Sequence, residues 1–120
     1  MHFDEGRPIV FDWGSIGHGG GLYDYAYFVA GSTTIETRRA HGDELLARYR
    51  SRLASAGVEV DDVTFREWHD VGALFCLVVP ILAGGSVLDT RDEKGDALIA
   101  ENLRRLFSYL HDHASVRFLD

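Results

Sequence analysis

"IVFDWGSIGHGGGLYDYAYF", residues 9–28, is where the chain changes character. Up to Phe11 it is an unbroken run of β-forming residues, and from Leu22 onward apolar residues recur with a helical period. Between them, residues 14–21 hold five glycines in eight positions and read as loop. Asp12 ends the apolar run directly before that loop. An aspartate so placed either caps a neighbouring element or presents carboxylate oxygen to a cation.

Working outward toward the N-terminus, residues 2–12 read as a hairpin. A short strand, a polar turn at Asp4-Glu5-Gly6 and a second strand over residues 8–12 follow one another. The apolar residues of the second strand are consecutive rather than alternating, which predicts burial on both faces. Two strands alone are not stable, so this hairpin must pack on something else.

Toward the C-terminus the pattern is helical throughout. Residues 22–30 form a short apolar helix that stops at Gly31. Thr33 and Glu36 have capping-box spacing, opening a helix to about residue 56 with Leu45, Leu46, Tyr49 and Leu53 on one face. Gly57 stands where a left-handed C-terminal cap is expected. Thr64 and Glu67 make a second box, with Val63 and Trp68 as a hydrophobic staple across it. That helix runs into the apolar stretch 71–83, is kinked by Pro80 and ends at Gly84-Gly85. A last helix over residues 92–111 carries a stripe of Ile99, Leu103, Leu106, Phe107 and Leu110. The expected fold is mainly α: an N-terminal β-hairpin and four helices, the helix from Thr64 being the central buried one.

Composition sets the bounds. At 120 residues and 46% hydrophobic, the chain suffices for one domain with a modest core. Its net charge of −7 argues against nucleic acid or an anionic membrane surface as main partner. The longest apolar run, about 13 residues with Pro80 inside it, is short of the ~20 a bilayer requires. Cys76 lies within that run and reads as a buried, inert thiol of a reducing compartment. No signal peptide is visible, and the expected location is cytoplasmic.

Few residues carry chemistry on their own pattern. Asp12 has the type and setting of a magnesium ligand, since that ion takes one or two protein carboxylates and completes its shell with phosphate and water. Asp24, at a helix start, suits the positive end of the helix dipole. Each also reads plainly as a turn-forming or capping aspartate. The glycine loop lacks the lysine and hydroxyl of a P-loop and has no G-x-G-x-x-G match, so it reads as a close backbone crossing. His18, in that loop beside Asp12, is a candidate substrate contact. His69, His111 and His113 show no zinc-type i,i+4 spacing. His41-Gly42-Asp43 matches the start of an H-G-D-x-x-x-x-N catalytic loop but lacks the asparagine and sits in an amphipathic helix, so it reads as helix surface.

The segment "FDEGRPIVFDWGSIGHGGGLYDYAYFVAGS", residues 3–32, resembles the kinase-like phosphotransferases, in the ecdysteroid-kinase-like and choline-kinase-like branch near the aminoglycoside phosphotransferases. Downstream, "RYRSRLASAGV", "FREWHDVGALFCLVVPILAGG" and "KGDALIAENLRRLF" are similar to the helical C-lobe of that superfamily. The resemblance implies that residues 1–13 are the hairpin ending in a metal-binding Asp, and residues 22–113 a helical subdomain of a protein-kinase-like fold. It implies that Asp12 coordinates magnesium bridging the phosphates of ATP, with Trp13 the aromatic beside it. Asp24 would brace the catalytic loop through its backbone, a structural role.

In the family the catalytic loop H-G-D-x-x-x-x-N immediately precedes this hairpin, below an N-lobe, and these 120 residues contain neither. The expectation is therefore the C-terminal part of an ATP-dependent kinase acting on a small-molecule hydroxyl, with no catalytic base of its own and inactive alone. Exposed Phe3, Ile9, Val10, Phe11 and Trp13 would then promote self-association through the hairpin. The alternative is a non-enzymatic helical module derived from such a kinase that binds a partner. A metal-dependent hydrolase is a third and weaker reading, because no base is placed.

Overall fold

A computed structural model describes residues 2–9, 19–85, 93–113, 115 and 117. Strands β1 (His2–Asp4) and β2 (Arg7–Ile9) form an antiparallel pair, with Phe3 opposite Pro8 and Asp4 opposite Arg7. Their turn is Glu5-Gly6, both at positive φ (48° and 78°), the two-residue geometry that matches strand twist. The hairpin is as expected, but its burial is not. Arg7, Pro8 and Ile9 are all exposed, Ile9 at 43%. Ile9 thus bears out the expected exposure, while the side chains of Phe3, Val10, Phe11 and Trp13 lie outside the described residues.

Among the described residues five helices follow rather than four: α1 (Gly21–Ser32), α2 (Ile35–Ser55), α3 (Asp62–Phe75), α4 (Val78–Gly85) and α5 (Glu93–Asp112). Pro80 explains the extra one. Its ring would collide with the Cys76 carbonyl four residues back, and it offers no N–H. The chain answers by breaking, not kinking. Cys76 and Leu77 close α3 with tight bonds to Ala73 and Leu74, and Pro80 falls in the first turn of α4, where a missing N–H costs nothing.

The helix starts are displaced from their predicted caps. Thr34, not Thr33, caps α2, its hydroxyl accepting from the Thr37 N–H at 3.2 Å. Thr33 instead closes α1 by donating to the Val29 carbonyl at 2.6 Å. Asp61, not Thr64, caps α3 and accepts from Val63 and Thr64 N–H, both at 3.0 Å. With the start moved upstream the staple is absent: Val63 and Trp68 are 67% and 56% exposed. The far end of α2 is as expected. Gly57 has φ +82°, Val58 N–H bonds Leu53 and Gly57 N–H bonds Ala54, which is a Schellman cap.

The core lies where α1, α3 and α5 meet. Leu22, Ala26, Val29 and Ala30 of α1 recur at helical spacing, and α1 packs most extensively on α3. From α5 come Leu106, Tyr109 and Leu110, while Phe107 of the predicted stripe points out at 57% exposure. The apolar run is helical, as expected, but only half covered. Gly72, Ala73, Cys76 and Pro80 are buried, whereas Val71, Phe75, Val78, Val79, Ile81 and Leu82 are exposed.

Gly72 sets the α1–α3 spacing. A Cβ there would stand 3.0 Å from the Tyr23 amide nitrogen and 3.2 Å from its Cα. Neither partner is a side chain that could swing away. Gly72→Ala is expected to destabilise the fold by about 1–3 kcal/mol through overpacking. Urea unfolding measures this, and an unchanged midpoint would show that the two helices can part freely.

Candidate functional site

Helix α2 is mostly polar, and only Ile35 and Arg38 of its 21 residues are buried. It is tied to the core near its two ends. At the first, Arg38 Nη2 contacts Asp112 Oδ2 at 2.6 Å and the Ser108 hydroxyl at 2.9 Å, and Arg39 Nε adds a 2.9 Å bond to Asp112. Tyr25 O–H reaches the Gly42 carbonyl at 3.1 Å. At the second, Arg50 pairs with Asp62 at 2.5 Å, donates to the Val60 carbonyl at 2.9 Å and lies over the Phe65 ring. Between these ties α2 stands off α3 and leaves an open cleft of about 800 Å³. Leu46 and Ala47 line one wall and Phe65 the other. Of the predicted stripe on α2, Leu46 lines the cleft, Tyr49 packs on the Tyr25 ring of α1 with 5.4 Å between centroids, Leu53 is half-buried and Leu45 is exposed.

The floor is a buried polar chain. His69 and Asp70 are 2% and 1% exposed. His69 Nδ1 lies 3.0 Å from Asp70 Oδ1, and Nε2 lies 2.5 Å from the Tyr109 hydroxyl. Burial pushes the Tyr109 phenol well above its ordinary value, so it keeps its proton and donates it. Nδ1–H then donates to the Asp70 carboxyl group. Asp70 Oδ2 is 2.6 Å from Arg117 Nη1. Arg38 lies over the Tyr109 ring with its guanidinium carbon 5.2 Å from the centroid. Every hydrogen-bonding atom of His69 is satisfied, so it is a structural element of the floor.

His113 differs. Its ring sits 4.8 Å from that of His69 and 4.5 Å from that of Tyr109, half-buried at the cleft. Burial first, then the proximity of His69 and Arg38, holds its pKa below the ordinary 6.5, against a weaker pull from Asp70 and Asp112. Across the cleft, Asp43 and Arg66 make no ion pair among the described residues. The cleft thus offers a neutral imidazole, a carboxylate and a guanidinium beside apolar walls, a set suited to a small polar molecule with an apolar body.

A lowered histidine pKa has a definite sign. Below pH 6.5 the unfolded chain takes up a proton that the folded His113 resists, so its contribution is complete above that pH and lost as pH falls. Asp112, held down to about 2 chiefly by Arg39 and also by Arg38, loses its contribution only below pH 4. The melting temperature should therefore drop between pH 7 and pH 5, and His113→Gln should flatten that drop. An equal drop in the variant would assign it to another group.

The residues singled out in the sequence are placed unevenly. Asp12, Trp13 and His18 lie outside the described residues. Asp24 is exposed in the first turn of α1, at the positive end of that helix. His41 and Asp43 are exposed on α2, as expected for a look-alike tripeptide, though Asp43 borders the cleft. Cys76 is fully buried, its thiol pushed up to about 12 by burial and then by Asp24. Among the described residues no group of three or more His, Cys, Asp or Glu is set to hold a metal, and no helix is long and apolar enough to cross a membrane. The floor was missed by sequence reasoning. Its one sequence cue is the pair His69-Asp70 on the threshold of an apolar run. No family model, no curated protein and no solved structure matches the chain.

Proposed function

We propose that the chain is the C-terminal part of an ATP-dependent phosphotransferase that transfers the γ-phosphoryl group to a small-molecule hydroxyl. What carries the reading is the order of elements: a hairpin, the segment containing Asp12 and Trp13, then a helix with Asp24 in its first turn. That order is the one the resemblance requires. Asp12 would hold magnesium on the nucleotide phosphates, and the cleft between α2 and α3 is the candidate pocket for the acceptor. Other ligands would come from phosphate, water and a catalytic loop.

Phosphoryl transfer depends on positioning and charge stabilisation by several parts acting together. A chain with one metal ligand and no positioned base forfeits about 10²–10⁴ in rate from the base alone. The 120 residues are expected to show no ATP-dependent phosphorylation of small alcohols. The test is to read the coding DNA ahead of Met1 and assay the longer polypeptide it encodes. An in-frame H-G-D-x-x-x-x-N with ATP-dependent turnover supports the reading. A stop codon or unrelated sequence there favours the helical interaction module, for which the exposed apolar residues of α3 and α4 speak.

A further inference from the structure

Helix α3 has more apolar surface than the core uses. At 100° per residue, its apolar arc from Val71 through Trp68 and Phe75 round to Ala73 spans about 200°, twice the stripe that one packed face needs. Phe65, Gly72, Ala73 and Cys76 occupy the covered half. Trp68, Val71 and Phe75, at 56%, 40% and 61% exposure, occupy the other. Helix α4 continues the exposure. Its sequence VVPILAGG contains no polar side chain, yet Val78, Ile81 and Leu82 are 46%, 56% and 57% exposed.

We infer that this α3–α4 face is the contact surface of a homodimer, with a second copy of the same chain as its occupant. Two observations select that occupant. The first is area. With about half of each of these six side chains in water, together they expose roughly 600–700 Å² of apolar surface, near the ~800 Å² each partner gives to a standard interface.

The second is charge. Between Glu67 and Leu82 the charged or titratable side chains are His69, Asp70 and Cys76, all buried, so this stretch adds no exposed charge on a chain of net −7. A basic partner would be drawn to the acidic remainder of the surface. An uncharged face is matched by another uncharged face, and a two-fold axis sets this one against itself. Trp68 and Phe75 are the aromatic anchors of the contact. The proposed contact surface is therefore the α3–α4 face rather than the hairpin, where Pro8 and Ile9 are exposed.

Sedimentation equilibrium of the 120-residue chain over 1–200 µM tests this directly. A monomer–dimer equilibrium is expected, and it should tighten with added salt because two chains of charge −7 repel. Phe75→Ser and Leu82→Ser each replace an exposed side chain, so circular dichroism should be unchanged while the dissociation constant rises roughly thirtyfold or more. Ile9→Ser should leave the dimer intact. In Trp13→Phe protein, Trp68 emission should shift to the red on dilution.

A monomer across the whole range would overturn the inference. So would a dimer that Ile9→Ser disrupts and Phe75→Ser does not. A monomer that instead partitions onto phosphatidylcholine vesicles would also overturn it, giving the face to lipid. The outcome is independent of whether the longer polypeptide transfers phosphate.

Discussion

In a polypeptide that carries a catalytic loop ahead of the hairpin, Asp12→Asn should lower phosphoryl transfer by about 10³-fold or more, because the metal's charge on the phosphates is a large part of transition-state stabilisation. The substitution keeps side-chain volume and removes a charge, so thermal stability should be unchanged. Asp24→Asn is expected to lower both rate and stability, since its carboxylate stands in the first turn of α1 and would brace backbone. Asp43→Asn should leave kcat unaltered, its place being the exposed surface of α2, though KM is free to change because Asp43 borders the cleft. Steady-state kinetics of the three variants decide the matter. Turnover that survives Asp12→Asn and vanishes with Asp43→Asn would refute the assignment.

His69→Phe should be the most damaging single change to the fold. A phenyl ring fills nearly the same space but strands two buried groups at once: Asp70 Oδ1, which loses its N–H donor, and the Tyr109 hydroxyl, which loses its acceptor. Arg117 still faces the other Asp70 oxygen, so the expected loss is that of two unsatisfied buried groups, about 2–5 kcal/mol, a large share of the ~5–15 kcal/mol that holds an ordinary domain together. For a chain of this size that lowers the melting temperature by about 10–20 °C. Adding Tyr109→Phe removes one stranded group, so the double variant should be less damaged than the sum of the singles. Strict additivity in a double-mutant cycle would mean that the phenol and imidazole are not coupled.

The parts of this fold that were legible are those fixed by local stereochemistry. Glu5-Gly6 must turn the hairpin, Gly57 must take the left-handed conformation that ends α2, and the stripe ending in Leu106 and Leu110 must face a core. What misled was competition between neighbours of equal propensity. Thr33 and Thr34 both cap, and one closes α1 while the other opens α2. Asp61 outranks Thr64 because a carboxylate accepts two N–H bonds at once, and burial of Phe65 settles the phase. Pro80 was read as a bend when its ring, two residues into a new helix, marks a fresh start.

The candidate site was less legible still. The floor joins residues from α3 and α5, about forty positions apart, and no spacing rule connects Tyr109 to His69. Arg38 has no sequence signal that sets it apart on a polar helix, and its partners Ser108, Asp112 and the Tyr109 ring account for its burial. A cleft arises here from a helix tied near both ends and unsupported between them, a property of the assembled molecule.

The chain's one cysteine turns the α1–α3 seam into a clock. Cys76 Sγ donates to the Gly72 carbonyl at 3.3 Å and lies against the Tyr23 carbonyl, with none of its surface open to water. An alkylating reagent needs the thiolate, which a pKa of about 12 withholds in the closed protein. Labelling can proceed only during moments when the packing of α1, α3 and α5 around the thiol opens. The rate of a single mass shift, followed in untreated protein at neutral pH, therefore counts openings of the core around Cys76 at the end of α3.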